Sequence, residues 1–118
     1  MSIPNEALQK LMADIESKAA FSSQQLQIVK AQMAAKQRDI RLLQLTAEEL
    51  NTLPPGTRTF EGVGKMFVLE PITSIKARLE NEEKTLKNDI KDLEKKYNYL
   101  ETTFVNAQQN LDAILRGR

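Results

Sequence analysis

Near the middle of the 118-residue chain stands the segment Thr57-Arg58-Thr59-Phe60-Glu61-Gly62-Val63-Gly64-Lys65-Met66-Phe67-Val68-Leu69. Short runs of Thr, Phe, Val and Leu around two glycines are typical of a β-hairpin, so we predict one over residues 57–69. The glycines supply the positive φ that a hairpin bend requires. The second strand, residues 66–69, has no alternation of polar and apolar side chains, so both of its faces require burial.

A hairpin of two strands is barely stable in water and leaves both of its edges unpaired. The sequence on either side is helical in pattern and offers no further strand to cover it. The missing strands must therefore come from other subunits, and the segment predicts an oligomer.

On both sides of the hairpin, seam positions recur at steps of three and four residues. In the first arm they are Leu8, Met12, Ile15, Ala19, Ser22, Leu26, Val29, Met33, Lys36, Ile40 and Leu43. In the second arm they are Ile72, Ile75, Leu79, Glu82, Leu86, Ile90, Leu93, Tyr97, Leu100, Phe104, Ala107, Leu111 and Ile114. This spacing predicts a mostly α fold, in which two helices form an antiparallel coiled coil with a central β-hairpin. At the polar seam position Lys36, we favour snorkelling to solvent over a role in setting the register.

The predicted boundaries follow from capping and turn residues within one domain over residues 1–118. The elements are a first helix over about residues 4–45, a short helix over 47–53, the hairpin over 57–69 and a second helix over about 72–115. Thr46-Ala47-Glu48-Glu49 matches a capping box, which predicts a break and a new helix start. Pro54-Pro55-Gly56 then ends the short helix. Equal antiparallel arms would place both termini at one distal tip.

The composition favours a protein without catalytic chemistry. The chain has no Cys and no His, which removes thiolate nucleophiles, the commonest general base and the commonest metal ligand. Gly64-Lys65 is not a phosphate loop, because such a loop would need glycine at position 59 and Ser or Thr at 66. We therefore expect no enzyme activity, no catalytic or metal site and no cofactor.

Charge and hydropathy also limit the partners. The net charge is +1, so no overall field attracts nucleic acid or an anionic membrane. No apolar run approaches the roughly 18 residues of a membrane span, and no signal peptide is visible. We expect neither nucleic acid nor membrane as a partner, and a cytoplasmic location with a nuclear pool left open.

Apolar residues also cluster where the two ends of the chain are expected to meet. This terminal cluster contains Ile3, Leu8, Leu11, Met12, Leu111, Ile114 and Leu115. Leu11 and Leu115 lie beside seam positions and widen the apolar stripe beyond what two helices need. Two interpretations stand equal: seam packing with frayed ends, or an adaptable apolar grip on partners.

The central block resembles the β class of the prefoldin family. The resemblance rests on residues 59–69, on the Thr46-x-x-Glu49-Leu50 helix start before them and on the two coiled-coil arms, so it covers essentially the whole chain. The central block is its specific part, whereas the arms are generic coiled coil. One hairpin rather than two fits the β class and not the α class. The Pro54-Pro55-Gly56 linker departs from the family pattern and leaves the loop geometry open.

The resemblance implies a subunit of a heterohexameric co-chaperone that uses no ATP. Its partners would be two α-type and three further β-type subunits, whose hairpins join into intersubunit β-barrels. The arms would bind unfolded actin and tubulin at their tips and deliver them to the cytosolic group II chaperonin. The assembly residues in the matching block are Phe60, Val63, Met66, Phe67, Val68 and Leu69. The terminal cluster is assigned to client binding by position only. The alternative is a structural coiled-coil adaptor that links folded partners.

Overall fold

A computed structural model describes residues 4–117, which form two long helices and one hairpin. The elements are α1 (Asn5–Asn51), β1 (Phe60–Val63), β2 (Met66–Leu69) and α2 (Ile72–Arg116). The prediction of a mostly α fold with two long helices and a central β-hairpin is confirmed. Within residues 4–117, no helix has the length and apolar character needed to cross a membrane.

Helix α1 is longer than expected. The predicted break at Thr46 and the separate short helix over 47–53 are wrong. Oγ1 of Thr46 donates a hydrogen bond to the carbonyl oxygen of Leu42 at 2.8 Å, so the hydroxyl bonds back into the helix instead of capping a new one. The last turn closes with the Thr52 N–H bonded to the Glu49 carbonyl at 3.1 Å. The two prolines that follow prevent its continuation.

The hairpin is tight and antiparallel. Phe60 pairs with Leu69, and Val63 pairs with Met66, so only Gly64 and Lys65 form the loop. Gly64 has a φ of 60°, whereas no residue other than glycine has a positive φ in the described chain. Positive φ at the first loop position alone is the pattern of a type II′ turn. The prediction that both glycines serve the bend therefore holds for Gly64 only.

The chain divides into two compact units. The first contains residues 1–33 and 92–118, of which 4–33 and 92–117 are described, and the second contains residues 34–91. In the first unit the buried side chains are Leu8, Ala19, Ser22, Val29, Leu100 and Ala107. In the second unit they are Ile40, Ile75, Leu79 and Ile90. All of these residues lie at predicted seam positions. The core of each unit therefore consists of seam residues.

Two polar contacts fix how α1 meets α2 in the second unit. Nζ of Lys36 lies 3.3 Å from Oδ2 of Asp89, and Nε2 of Gln44 donates to Oε1 of Glu83 at 2.8 Å. The later residue of α1 contacts the earlier residue of α2, so the two segments run antiparallel here. Both side chains of the Lys36 pair are partly exposed. The ammonium lies at the edge of the seam and pairs with Asp89 of the opposite helix, so the expected snorkelling to solvent holds only in part and the contact also supports the alternative, a role in register.

The seam of α2 passes through Glu83 and not through Glu82. Glu82 is exposed and Glu83 is half-buried, because Gln44 on the opposite helix holds the Glu83 carboxylate. The two consecutive four-residue steps that relax the supercoil therefore fall at Ile75, Leu79 and Glu83, whereas the predicted seam has them at Glu82, Leu86 and Ile90.

Stability at acid pH should depend on Glu83. Its hydrogen bond from Gln44, together with that from Lys87, holds the pKa of the Glu83 carboxyl below its usual value of 4.5. A lowered folded-state pKa stabilises the fold above pH ~4.5, and this stabilisation is lost as the pH falls through the lowered value. We expect Glu83→Gln to flatten the fall of the thermal midpoint, measured by circular dichroism between pH 6 and 3. The exposed Glu80→Gln variant is the control, and a steep fall in Glu83→Gln like that of the wild type would contradict the assignment.

Candidate functional site

The hairpin exposes an unusual amount of apolar surface. Its six exposed apolar side chains are Phe60, Val63, Met66, Phe67, Val68 and Leu69, the same six assigned to assembly from the sequence. Phe67 is 78% exposed and Met66 is 66% exposed. Burial of each such side chain contributes about 1.5–3 kcal/mol of favourable free energy. The isolated chain does not gain this stabilisation, because the six side chains remain in contact with water.

Strand pairing sorts these side chains onto two faces. Phe60 pairs with Leu69, and Phe67 lies opposite Gly62. One face, called the apolar face below, therefore carries Phe60, Phe67 and Leu69 and no charge. The ring of Phe67 lies beside Gly62, where a Cβ atom would be at ordinary contact distance, 3.8 Å, from Cε1 of Phe67. The strand period places Glu61, Val63, Met66 and Val68 on the opposite, mixed face.

Arg78 on α2 anchors the mixed face of the hairpin. Its guanidinium pairs with the carboxylate of Glu61 and lies 3.8 Å from those of Glu70 and Glu82. One cation thus joins both strand ends to the first turns of α2. Because the mixed face is held toward α2, the apolar face is turned away from it and stays available.

The two carboxyl groups of this anchor, Glu61 and Glu70, shift each other's pKa in opposite directions. The hydrogen bond from Glu70, followed by the contact with Arg78, lowers the pKa of Glu61 below 4.5. The same hydrogen bond raises the pKa of Glu70, with some help from desolvation. The Glu61 contribution to stability is lost as the pH falls through its lowered pKa, and the Glu70 contribution is lost as the pH rises through its raised pKa. The contributions of Glu61 and Glu70 to stability change in opposite directions with pH. The anchor is therefore tested at Arg78, the residue that both carboxyl groups contact.

Removing the cation should loosen the hairpin. We expect Arg78→Gln to speed hydrogen exchange of the amides in residues 60–69, because two adjacent carboxyl groups would lose their shared cation. The measurement is hydrogen exchange with mass spectrometry on the full chain. Arg41→Gln makes the same change of charge at an exposed site on α1 and should leave the exchange of these amides unchanged. Equal exchange in both variants would show that Arg78 does not hold the hairpin.

The terminal cluster lies in the first unit and is less accessible than expected. Ile3 lies outside the described residues. Leu8 is buried, and the half-buried members are Met12, Leu111 and Ile114. Leu11 is 43% exposed and Leu115 is 54% exposed. The residues at seam positions therefore face the partner helix, and Leu11 and Leu115 are the members that offer apolar surface to another molecule.

Sequence reasoning missed a further set of exposed apolar side chains. Leu42, Leu45 and Leu53 lie in the second unit, and Phe21, Ile28, Tyr99 and Val105 lie in the first. The three leucines border a shallow cleft of about 480 Å³. The feature of the sequence that could have indicated this surface is the spacing of Leu42 and Leu45, which are three residues apart and lie outside the seam. Among the described residues, no group of acidic side chains is placed to hold a metal ion.

Comparisons with known proteins agree with the resemblance seen in residues 59–69. A family model described as "Prefoldin subunit" matches residues 13–118. The chain is 36% identical over 107 residues to "Probable prefoldin subunit 1" of Schizosaccharomyces pombe, covering 91% of this chain and 96% of that protein. It is 34% identical over 114 residues to "Prefoldin subunit 1" of Homo sapiens, covering 89% and 93%. The fold matches the crystal structure of the prefoldin beta subunit from Thermococcus strain KS-1, with a TM-score of 0.79, 23% identity and coverage of 98% and 96%.

Proposed function

The chain belongs to the prefoldin family, and from this membership we propose that it assembles through its hairpin into a heterohexamer that delivers unfolded proteins to a chaperonin. As a prefoldin subunit it is a component of a hetero-oligomeric co-chaperone and not an enzyme. The proposal adds the composition of the complex, the surfaces used and the clients. The complex would contain two α-type and four β-type subunits and act in the cytosol.

The exposed hairpin is the observation that carries the proposal. Its strands have four residues each, and the β1–β2 sheet has only these two strands, so each strand keeps one unpaired edge. An unpaired edge beside an exposed apolar face is a template for strands of another chain. Hairpins of neighbouring subunits would supply those strands and close a barrel, which removes the edges and buries both faces.

The first unit supports a role in client binding. Unfolded proteins, with actin and tubulin as the proposed clients, expose apolar side chains at irregular spacing. Leu11 and Leu115 offer small, exposed apolar contacts, each of which would bind weakly, in the mM to μM range. Several such contacts on one complex raise the effective concentration and give useful avidity. Weak single contacts also let the client leave for the chaperonin without nucleotide hydrolysis.

Reconstitution tests the proposal directly. The chain is co-expressed with α-type and other β-type prefoldin subunits, and the complex is weighed by native mass spectrometry. We expect one copy of this chain in a hexamer that suppresses aggregation of denatured actin without nucleotide, as measured by light scattering. Failure to co-assemble would overturn the proposal. Assembly without suppression would favour a structural adaptor that links folded partners.

A further inference from the structure

A second apolar surface lies at the end of α1, in the same compact unit as the hairpin. This leucine face consists of Leu42, Leu45 and Leu53, and Leu42 is 62% exposed. The helical spacing of Leu42 and Leu45 places these two on the side of α1 opposite the seam positions Ile40 and Leu43, and Leu53 follows two residues after α1 ends at Asn51. They border the cleft of about 480 Å³, which Thr46, Glu49, Leu50 and Thr52 complete.

The coiled coil does not use this face. In the second unit, α2 meets the other side of α1, where Ile40 is buried and Gln44 bonds to Glu83. No segment among residues 4–117 covers the leucines, since all three remain exposed. The face therefore requires an occupant from outside the chain or remains a solvated apolar patch.

The area of the hairpin favours a neighbouring subunit as the occupant. A stable interface buries about 800 Å² on each partner. On the apolar face of the hairpin, the exposed fractions of Phe60 and Phe67 correspond to roughly 200–330 Å², given that a large aromatic side chain buries about 150–250 Å² in full. This face alone therefore stays below the usual size, even with Leu69 added. Only residues 54–59 separate the hairpin from the three leucines in the sequence, so a subunit that contacts the apolar face comes closer to the usual size when its contact extends onto the leucines.

We propose that the leucine face is a second part of the subunit interface and that it is occupied by a neighbouring subunit of the same prefoldin complex. The contacting segment of that subunit would be apolar with a Lys or Arg at its edge. The cleft contains one charged side chain, Glu49, and a cation beside it would satisfy its carboxylate at the rim. This inference rests on the proposed function, because it requires a complex with other prefoldin subunits.

Site-specific crosslinking identifies the occupant. The sequence contains no Cys, so Leu42→Cys creates a unique thiol for a benzophenone photo-crosslinker. In the reconstituted complex we expect an adduct with a neighbouring prefoldin subunit, both with and without denatured actin. Phe21→Cys is the matched control, since Phe21 is also apolar and 60% exposed but lies in the first unit. It should give no adduct with a subunit.

A charge variant measures the contribution of the face to assembly. We expect Leu42→Lys with Leu45→Lys to weaken co-assembly by about tenfold or more, since two ammonium groups would lose water in an apolar contact. Helicity should be unchanged, because both residues lie outside the seam. Phe21→Lys with Ile28→Lys is the control, with nearly the same exposed fractions, and should assemble as the wild type does.

The outcomes separate this inference from the proposed function. Unchanged assembly of the Leu42/Leu45 variant, or an adduct from position 42 with actin alone, would overturn the leucine face as a subunit contact while the hairpin interface stands. Failure of the wild-type chain to join other prefoldin subunits would overturn the proposed function and this inference together.

Discussion

Phe67→Asp is expected to abolish co-assembly with other prefoldin subunits while leaving the fold of the chain intact. Phe67 is 78% exposed within the chain, so its replacement removes little packing from the chain itself. In the proposed complex the side chain is buried, and an unpaired carboxylate there costs several kcal/mol. At 1.4 kcal/mol for each tenfold change in affinity, the dissociation constant should rise by roughly 100-fold or more.

Native mass spectrometry of the co-expressed subunits measures the loss of the hexamer, and circular dichroism checks that the helices persist. Phe21→Asp is the matched control, because it replaces an aromatic residue of similar exposure in the first unit. We expect this control to form the hexamer at wild-type levels. A hexamer of normal mass and abundance from Phe67→Asp would remove the apolar face of the hairpin from the interface.

Phe67 gives a cleaner test than Val68, the neighbouring residue of β2. Val68 pairs directly with Glu61 across the hairpin. A carboxylate at position 68 would therefore oppose another carboxylate within the same chain and destabilise the hairpin itself. Phe67 lies opposite Gly62, which has no side chain to repel the new charge. Loss of assembly in Phe67→Asp would therefore report on the interface.

The coiled coil was predictable because its signal is repeated over many turns. Each buried residue of the described chain lies at a predicted seam position, since a sustained three-four spacing leaves one side of a helix for burial. Errors arose where one residue decides the outcome. Thr46 can cap a new helix or bond back to the preceding turn, and the capping-box pattern does not distinguish these. Glu82 and Glu83 are adjacent in sequence, and Gln44 of the opposite helix selects Glu83.

The surfaces were predictable only in part, because exposure depends on what the partner helix covers. The six hairpin residues were assigned from the resemblance of residues 59–69 to the prefoldin β class, and the four in β2 are also indicated by the missing polar alternation, which requires burial on both faces. The leucine face was missed because Leu42 and Leu45 carry no repeat that extends along the helix. In the terminal cluster the seam spacing does separate Leu8 from Leu11, since Leu8 lies at a seam position and is buried, whereas Leu11 lies beside one and is exposed.

Replacing Leu11 and Leu115 together with Asp is expected to weaken client binding by the complex without affecting its assembly. The proposed function assigns client contact to these two exposed residues, and carboxylates there would remove the apolar surface that an unfolded chain binds. Because other subunits keep their own contacts, we expect the concentration of complex needed to suppress aggregation to rise only on the order of tenfold. Deletion of the chain ends would be less informative, because it would also remove the buried Leu8.

Light scattering of denatured actin without nucleotide measures the effect, and native mass spectrometry verifies the hexamer. Gln9→Asp with Gln108→Asp is the matched control, since both residues are exposed in the first unit and the variant adds the same two charges without removing a leucine. Equal suppression by the wild type and the Leu11/Leu115 variant would exclude these residues from client contact. Equal loss in both variants would instead identify added negative charge as the cause, because only the first variant loses apolar surface.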